Sequence, residues 1–346
     1  MKVLVTGAGA VLGQGIIKCL RMAAGPYEIV AADPDPRAVG LYWADKAYLI
    51  PMAKDPDYLA RVQEVVALER PDVLLIGTDV ELCKFAENRA ELEATYQVKV
   101  IVSPSDVIQI ADDKWLTYQF LRQNGFPYPQ SALPDQIGDL LQTCGFPLVV
   151  KPRVSARSVG VHLVHNEREL ERALAEVSNP IVQEAVATSQ DEYTSGVVLV
   201  DGCVQAVVTM RRDLRDGNTY RAYVEPDSTF DGLLAEIAET LSGAGPLNFQ
   251  FRVAQGVPKI FEINARFSGT TPFRAYAGFN EVDAIVRHAV YGDPITRPKL
   301  EPVIVLRYLN EMVVTARELH EMSKNSQQIT GEIKGDSTAA RADNGF

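Results

Sequence analysis

Residues 1–102 constrain the fold most tightly, because they repeat one pattern. Apolar runs at KVLVTG (2–7), EIVAAD (28–33), KAYLIP (46–51), DVLLIG (72–77) and VKVIV (98–102) alternate with longer amphipathic stretches. Runs this continuously apolar cannot face water on one side. With helix-length segments between them they require strands covered on both faces, a parallel doubly wound sheet. Helices are expected from Gly13 and near 56–69 and 80–94.

Around residue 111 the character changes. Asp112 and Asp113 can cap a helix, KWLTYQFLRQN, closed by Gly125. From there to about residue 310 the pattern is hairpin-rich: PLVVKP, VHLVH, IVQEAV, a long pair either side of Asp201-Gly202, TYRAYVE and VIVLRYL. Helices are expected at 167–177, 230–243 and 281–291, so an α/β domain precedes an α+β body.

The start, TGAGAVLG, follows a strand and opens a helix, and Asp33 stands where a dinucleotide fold places its ribose-binding acid. This supports a nicotinamide oxidoreductase as one alternative. The spacing departs from that fingerprint, which needs glycine where Leu12 or Val11 stands. A tight strand-to-helix turn also demands small residues. Tyr42 and Lys46 form a YxxxK pair too early in the chain to be the catalytic pair of a short-chain dehydrogenase.

Charge narrows the class of partner. A net charge of −11 over 346 residues excludes a broadly basic nucleic-acid or anionic-membrane surface, so an anionic ligand needs a local cluster of cations. No run approaches the roughly 18 apolar residues of a membrane span. Lys2 and the mild apolar run after it imitate a signal peptide, but Gly7, Gly9, Gly13 and Gln14 interrupt the run. Cysteines at 19, 83, 144 and 203 stand singly, as reduced thiols of a cytoplasmic protein do, and the four histidines form no zinc pattern. Residues 316–346 are expected to be a C-terminal helix and a flexible tail, the part from Ser323 being polar and almost free of large apolar residues.

The stretch LNFQFRVAQGVPKIFEINARFSG (247–269) carries the chemistry. Phe261, Ile263, Ala265 and Phe267 alternate with Glu262, Asn264 and Arg266, and Asn248, Gln250 and Arg252 alternate with Phe249, Phe251 and Val253. Two period-two runs around Gln255-Gly256 make a hairpin with one polar face. Such a face is ordinarily just solvated. Here it gathers a carboxylate, amides and arginines, a set suited to an oxygen-ligated cation beside an anion. Upstream lie Lys114, Lys151 at the end of an apolar strand, the small-residue loop RVSARSVGV with Arg153 and Arg157, then Glu184, Glu192, Arg211 and Arg212. A loop of that composition brings backbone N–H groups close to phosphates.

In this order the residues resemble the ATP-grasp superfamily, and within it the large chain of carbamoyl phosphate synthase and its small stand-alone relatives, over residues 1 to about 315. The resemblance implies a Rossmann-like pre-ATP-grasp domain (1–110) followed by a two-lobed ATP-grasp domain. Its lobes would be a small lid subdomain (111–187) and a large subdomain with the metal site (188–315). It implies ATP with two Mg²⁺ ions, or Mn²⁺ in their place. Lys114 and Lys151 would contact phosphates under a lid carrying Ser155 and Ser158; Glu184, Ala185 and Val186 would face the adenine, and Glu192 the ribose. Glu262 would bridge the metals with Gln250 and Asn264, and Arg266, Lys151 and Arg211 would act on the transferred phosphoryl group.

The implied activity is an ADP-forming carboxylate–amine or carboxylate–thiol ligase working through an acyl phosphate. Its partners would be small-molecule substrates and, as an assembly, a homodimer. The acceptor pocket is expected near Ser268, Thr270, Thr271 and Arg274, with Asp79 and Glu81 from the first domain. Two departures stand out: the lid holds only Gly160, and Gly269 replaces a further arginine. A single ATP-grasp unit argues against making carbamoyl phosphate and admits, as another alternative, the ATP-binding subunit of a split synthase.

Overall fold

The computed structural model describes residues 1–155, 158–186, 192–224, 226–297 and 299–324. Arg157 of the lid loop and the tail from residue 325 onward lie outside the described residues. The first unit comprises β1 (Lys2–Val5), α1 (Val11–Met22), β2 (Glu28–Asp33), α2 (Val39–Trp43), β3 (Lys46–Leu49), α3 (Tyr58–Glu69), β4 (Val73–Leu75), α4 (Leu82–Tyr96) and β5 (Lys99–Ile101). All five strands are parallel, in the order β3-β2-β1-β4-β5, as the continuous apolar runs require.

The glycine-rich start is a packing device. A Cβ on Gly13 would lie 2.8 Å from the Gly7 carbonyl carbon, so helix α1 can cross the turn this closely only without a side chain there.

Helices α5 (Ser105–Asp112) and α6 (Lys114–Gln123) follow, with the Asp113 carboxylate capping α6 by accepting from the Trp115 N–H at 2.8 Å. Next come β6 (Ser131–Ala132), α7 (Ile137–Cys144), β7 (Leu148–Pro152), β8 (His162–Val164), α8 (Glu167–Glu176) and β9 (Pro180–Glu184). These strands form an antiparallel sheet in the order β6-β9-β7-β8.

The last unit holds β10 (Glu192–Val200), β11 (Cys203–Arg215), β12 (Asn218–Val224), α9 (Asp231–Leu241), β13 (Gly245–Ala254), β14 (Val257–Asn264), α10 (Thr271–Tyr276), α11 (Glu281–Tyr291), β15 (Ile304–Leu306) and α12 (Ala316–Lys324). Its antiparallel sheet runs β14-β13-β10-β11-β12-β15. Three of its hairpins close on two residues of positive φ, Asp201-Gly202, Asp216-Gly217 and Gln255-Gly256, the backbone that matches strand twist.

Packing divides the molecule differently from its sheets. One core runs from Leu4 and Val30 of the parallel sheet through Val107, Ile108 and Leu121 of α5 and α6 to Phe249, Phe251 and Ile263 of the large sheet. The four-stranded sheet has a core of its own, with Leu140, Leu148, Val150, Leu170 and Val182. Among the described residues no helix is long and apolar enough to cross a membrane.

Candidate functional site

The pairing of β13 with β14 puts Gln250 opposite Glu262 and Asn248 opposite Asn264. β10 sets Glu192 opposite Arg252 and Thr194 opposite Gln250. Because side chains alternate across a sheet, Glu192, Gln250, Arg252, Glu262 and Asn264 share one face. A bulge between Gln250 and Phe251 opposes two β14 residues to one β13 step. The consequence corrects the simple alternation: Phe261 does not join buried Ile263 and Ala265 but turns to the polar face, where the Lys151 Nζ lies 5.2 Å from its ring centre. Ile260 fills the core position instead.

The polar side chains form one continuous chain of contacts. Arg212 donates to Glu192 at 2.7 Å and to Gln250 Oε1 at 2.6 Å. The Gln250 and Asn264 amides both donate to Glu262 Oε1, at 3.1 and 3.0 Å. Arg266 donates to Asn264 Oδ1 at 2.7 Å and to Asp79 Oδ1 at 2.6 Å, reaching the parallel-sheet domain. Glu192 also holds Arg252, at 2.8 and 3.0 Å.

This donor set fits a hard divalent cation. One carboxylate lies between two amides whose NH2 groups face it and whose oxygens accept from Arg212 and Arg266, so turning each amide over would present one carboxylate and two amide oxygens to an ion. Among the described residues no cluster of three or more His, Cys, Asp or Glu offers an alternative metal site.

Two buried lysines lie on the other side. Lys114 donates to the Ser155 carbonyl at 3.0 Å and reaches Ser155 Oγ at 3.4 Å. Lys151 makes no ion pair among the described residues; burial, and then the neighbouring Lys114 charge, lowers its pKa to about 7. Desolvated cations of this kind are suited to receiving phosphate oxygens. Ser158, at φ 55°, is exposed on the turn that ends at Gly160.

Several expected roles change. Arg211 lies opposite Tyr193 and Tyr223, on the face away from Glu262, and stacks on the Tyr223 ring at 3.8 Å. Its neighbour Arg212 is the arginine that enters the site, because alternation admits only one of the pair. The Glu192 carboxylate is committed at both oxygens to arginines and has none left for a ribose. Glu184 pairs with Lys259 and accepts from the Gln130 N–H at 2.8 Å. Beside it the Ala185 N–H donates to the Pro147 carbonyl at 3.4 Å, and the Val186 carbonyl accepts from Arg252 at 3.3 Å.

Arg153, considered beside the phosphates, is bound to Asp113. Ser268, Thr270, Thr271 and Arg274 do not line an open pocket. All four are buried, and Arg274 donates to Glu281 at 2.8 and 2.5 Å and to the three hydroxyls at 3.0 Å each. Glu81 is buried too, accepting from Tyr58, Thr78 and Thr6 at 2.5, 2.7 and 3.1 Å; burial raises its pKa. Only Asp79 of that pair reaches the site.

Sequence reasoning assigned no role to Lys259 or Arg252. Arg252 shares the parity of Gln250, a signal present in the alternation; Lys259 is announced by nothing until the bulge is known. Asp33, the acid of the dinucleotide reading, accepts from the Gly9 N–H at 2.7 Å and the Asp35 N–H at 3.0 Å. It ties down the glycine-rich turn itself.

Comparison with known proteins agrees with the fold. Residues 144–206 match the family described as ATP-grasp domain, and 180–312 the one described as ATP-grasp in the biosynthetic pathway with Ter operon. Residues 144–312 therefore carry an ATP-grasp domain. Residues 3–101 match the family described as PylC-like, N-terminal domain.

Among solved structures, this chain is similar to N5-carboxyaminoimidazole synthetase from Staphylococcus aureus complexed with ADP. The TM-score is 0.70 at 17% identity, covering 89% of this chain and 82% of that one. It is also similar to a biotin carboxylase–beta-gamma-ATP complex from Campylobacter jejuni, with a TM-score of 0.67 at 16% identity, covering 85% and 72%. The biotin carboxylase domain dimer of a Hydrogenobacter thermophilus 2-oxoglutarate carboxylase, in complex with MgADP and bicarbonate, scores 0.65 at 17% identity, covering 84% and 69%. At these identities the likeness is one of fold.

Proposed function

We propose that this chain is an ATP- and Mg²⁺-dependent ligase that joins a carboxylate to an amine through an acyl phosphate, releasing ADP and phosphate. The observation that carries the reading is the single polar face on which Gln250, Glu262, Asn264 and Arg266 adjoin, with Lys151 beside it. The nucleotide complexes of the similar structures point the same way.

A carboxylate is a poor electrophile, and phosphorylation makes it one that an amine can attack. Metal bound at Glu262, Gln250 and Asn264 would neutralise charge on the phosphates. Lys114 and Lys151 would bind the phosphate chain, and Lys151, half-deprotonated near neutrality, would take up a proton as the nucleotide arrives. Arg266 would leave Asn264 for the transferred phosphoryl group and stabilise charge as it develops there. Glu192 would hold Arg212 and Arg252 in place. Closure of the four-stranded lid would exclude water that hydrolyses the acyl phosphate.

A metabolite-mixture screen for ADP release, with products read by mass spectrometry, tests this. Glu262→Ala is expected to lower turnover by about a hundredfold or more with an unchanged melting curve. Full activity in that variant, or release of AMP in place of ADP, would overturn the proposal.

A further inference from the structure

Among the described residues, nearly every arginine that is not exposed has a carboxylate within reach. Arg61, Arg89, Arg153, Arg211, Arg212, Arg252, Arg266 and Arg274 all make ion pairs. The exposed arginines without a pair, Arg70, Arg122 and Arg168, are compensated by water. Among the described residues Arg307, half-buried at the end of β15, fits neither case. It lies over the Phe273 ring at 4.8 Å and donates one N–H to the Gly269 carbonyl. No acid offsets it: burial alone lowers its pKa.

A second uncompensated cation is close by. Lys18 on α1 has no carboxylate within 4 Å among the described residues and lies 5.1 Å from the Trp43 ring centre. Burial, followed by the charge of Arg307, lowers its pKa. Lys18 stands three residues along α1 from Gly15, where a Cβ would meet Pro272 at 3.3 Å, next to the Phe273 ring that Arg307 covers, so in a chain of net charge −11 two half-buried cations on adjoining elements favour an anion that joins them.

Their position gives the anion a meaning. Gly269, to which Arg307 is tied, lies three residues beyond Arg266 of the metal-bearing strand, and a Cβ on it would touch Val11 of α1 at 3.1 Å. Arg266 itself reaches Asp79 of the parallel-sheet domain. Loop 266–269 therefore leads from Arg266, which is bound to Asp79 of the parallel-sheet domain, to Gly269, which meets α1 and is bound to Arg307. We propose that Arg307, assisted by Lys18, binds an anionic group of the acceptor substrate, a carboxylate or a phosphate monoester, and so orients the acceptor's amine toward the strand bearing Arg266. That the anion belongs to an acceptor rests on the ligase reading; that an anion binds at Arg307 does not.

The test uses the full chain saturated with Mg·ADP, so that Lys114 and Lys151 are already engaged, and titrates it calorimetrically with inorganic phosphate and, separately, acetate. At least one anion is expected to bind the wild type, and Arg307→Leu to weaken it tenfold or more. Arg307→Lys, which keeps the charge, should retain part of the affinity. Arg70→Leu, an exposed and unpaired control, should change nothing. Preference for phosphate would identify a phosphate ester, and preference for acetate a carboxylate. Binding of neither anion, or equal losses in Arg307→Leu and Arg70→Leu, would overturn the proposal. Melting curves and Mg·ADP affinity of each variant separate a binding loss from a folding defect. Failure of the wild type to bind Mg·ADP would instead count against the ligase reading, while the difference between the Arg307 and Arg70 variants would still report on the anion site.

Discussion

Lys151 has the most consequential titration in the site. Its folded pKa, about 7, lies below the ordinary 10.5, so protonating it in the folded state costs stability below about pH 7, and that cost fades as the pH rises toward 10.5. A bound triphosphate reverses the preference, because phosphate charge favours the protonated amine. Nucleotide binding is therefore expected to take up a proton and to weaken as the pH rises from 7 to 9. Lys151→Arg, charged throughout that range, should flatten the profile; calorimetry in buffers of different ionisation enthalpy would measure both effects. A second residue-scale expectation separates the adjacent arginines. Arg212→Met should strip a partner from Glu192 and Gln250, destabilise the chain by about 3 kcal/mol in denaturant titrations and impair nucleotide binding. Arg211→Met, on the far face, should leave nucleotide affinity within threefold of wild type.

Among the elements, the large sheet is where a small residue has the largest effect. Gly196 on β10 faces the buried Arg274, and a Cβ there would overlap the guanidinium, with Cζ at 2.5 Å. Gly196→Ala is expected to displace Arg274 from Glu281, two side chains each 1% exposed, and to cost about 3–5 kcal/mol, read as a melting temperature lower by more than about 5 °C. Much of this sheet was legible in the sequence. Period-two alternation marked β13 and β14, and Asp-Gly and Gln-Gly marked the turns, because both signals are local. The bulge beside Gln250 was not legible. It depends on how two strands pair, so Phe261 and Lys259 could be assigned only once the register was known. The choice between Arg211 and Arg212 was not legible for the same reason: adjacent residues of one type differ only in which face each presents. The roles expected of Ser268, Thr270, Thr271 and Arg274 assumed an open pocket, whereas α10 and α11 fold over them, a long-range packing outcome that composition does not encode.

Across the whole molecule, the cores predict what moves. The parallel sheet, α5, α6 and the large sheet share buried side chains, whereas the four-stranded sheet encloses its own. Among the described residues the polar links between that lid and the body include Arg153 to Asp113, Lys114 to Arg153 and Ser155, Lys259 to Glu184 and Arg252 to the Val186 carbonyl. Hydrogen exchange is expected to find residues 131–184 opening as one cooperative unit at lower free energy than the body, with the difference reduced by Mg·ADP. Uniform protection across both parts would contradict this.

The contact chain from Glu192 to Asp79 has a further consequence. Each amide oxygen suited to a metal already rests against a guanidinium, so an ion held at Gln250, Glu262 and Asn264 would exchange with an arginine and would not fill a void of charge. The fold is thus balanced before any metal is present. Unlike a zinc finger, which unfolds when its ion is stripped, this protein should melt at the same temperature with and without a chelator, its scaffold indifferent to the ion on which its chemistry would depend.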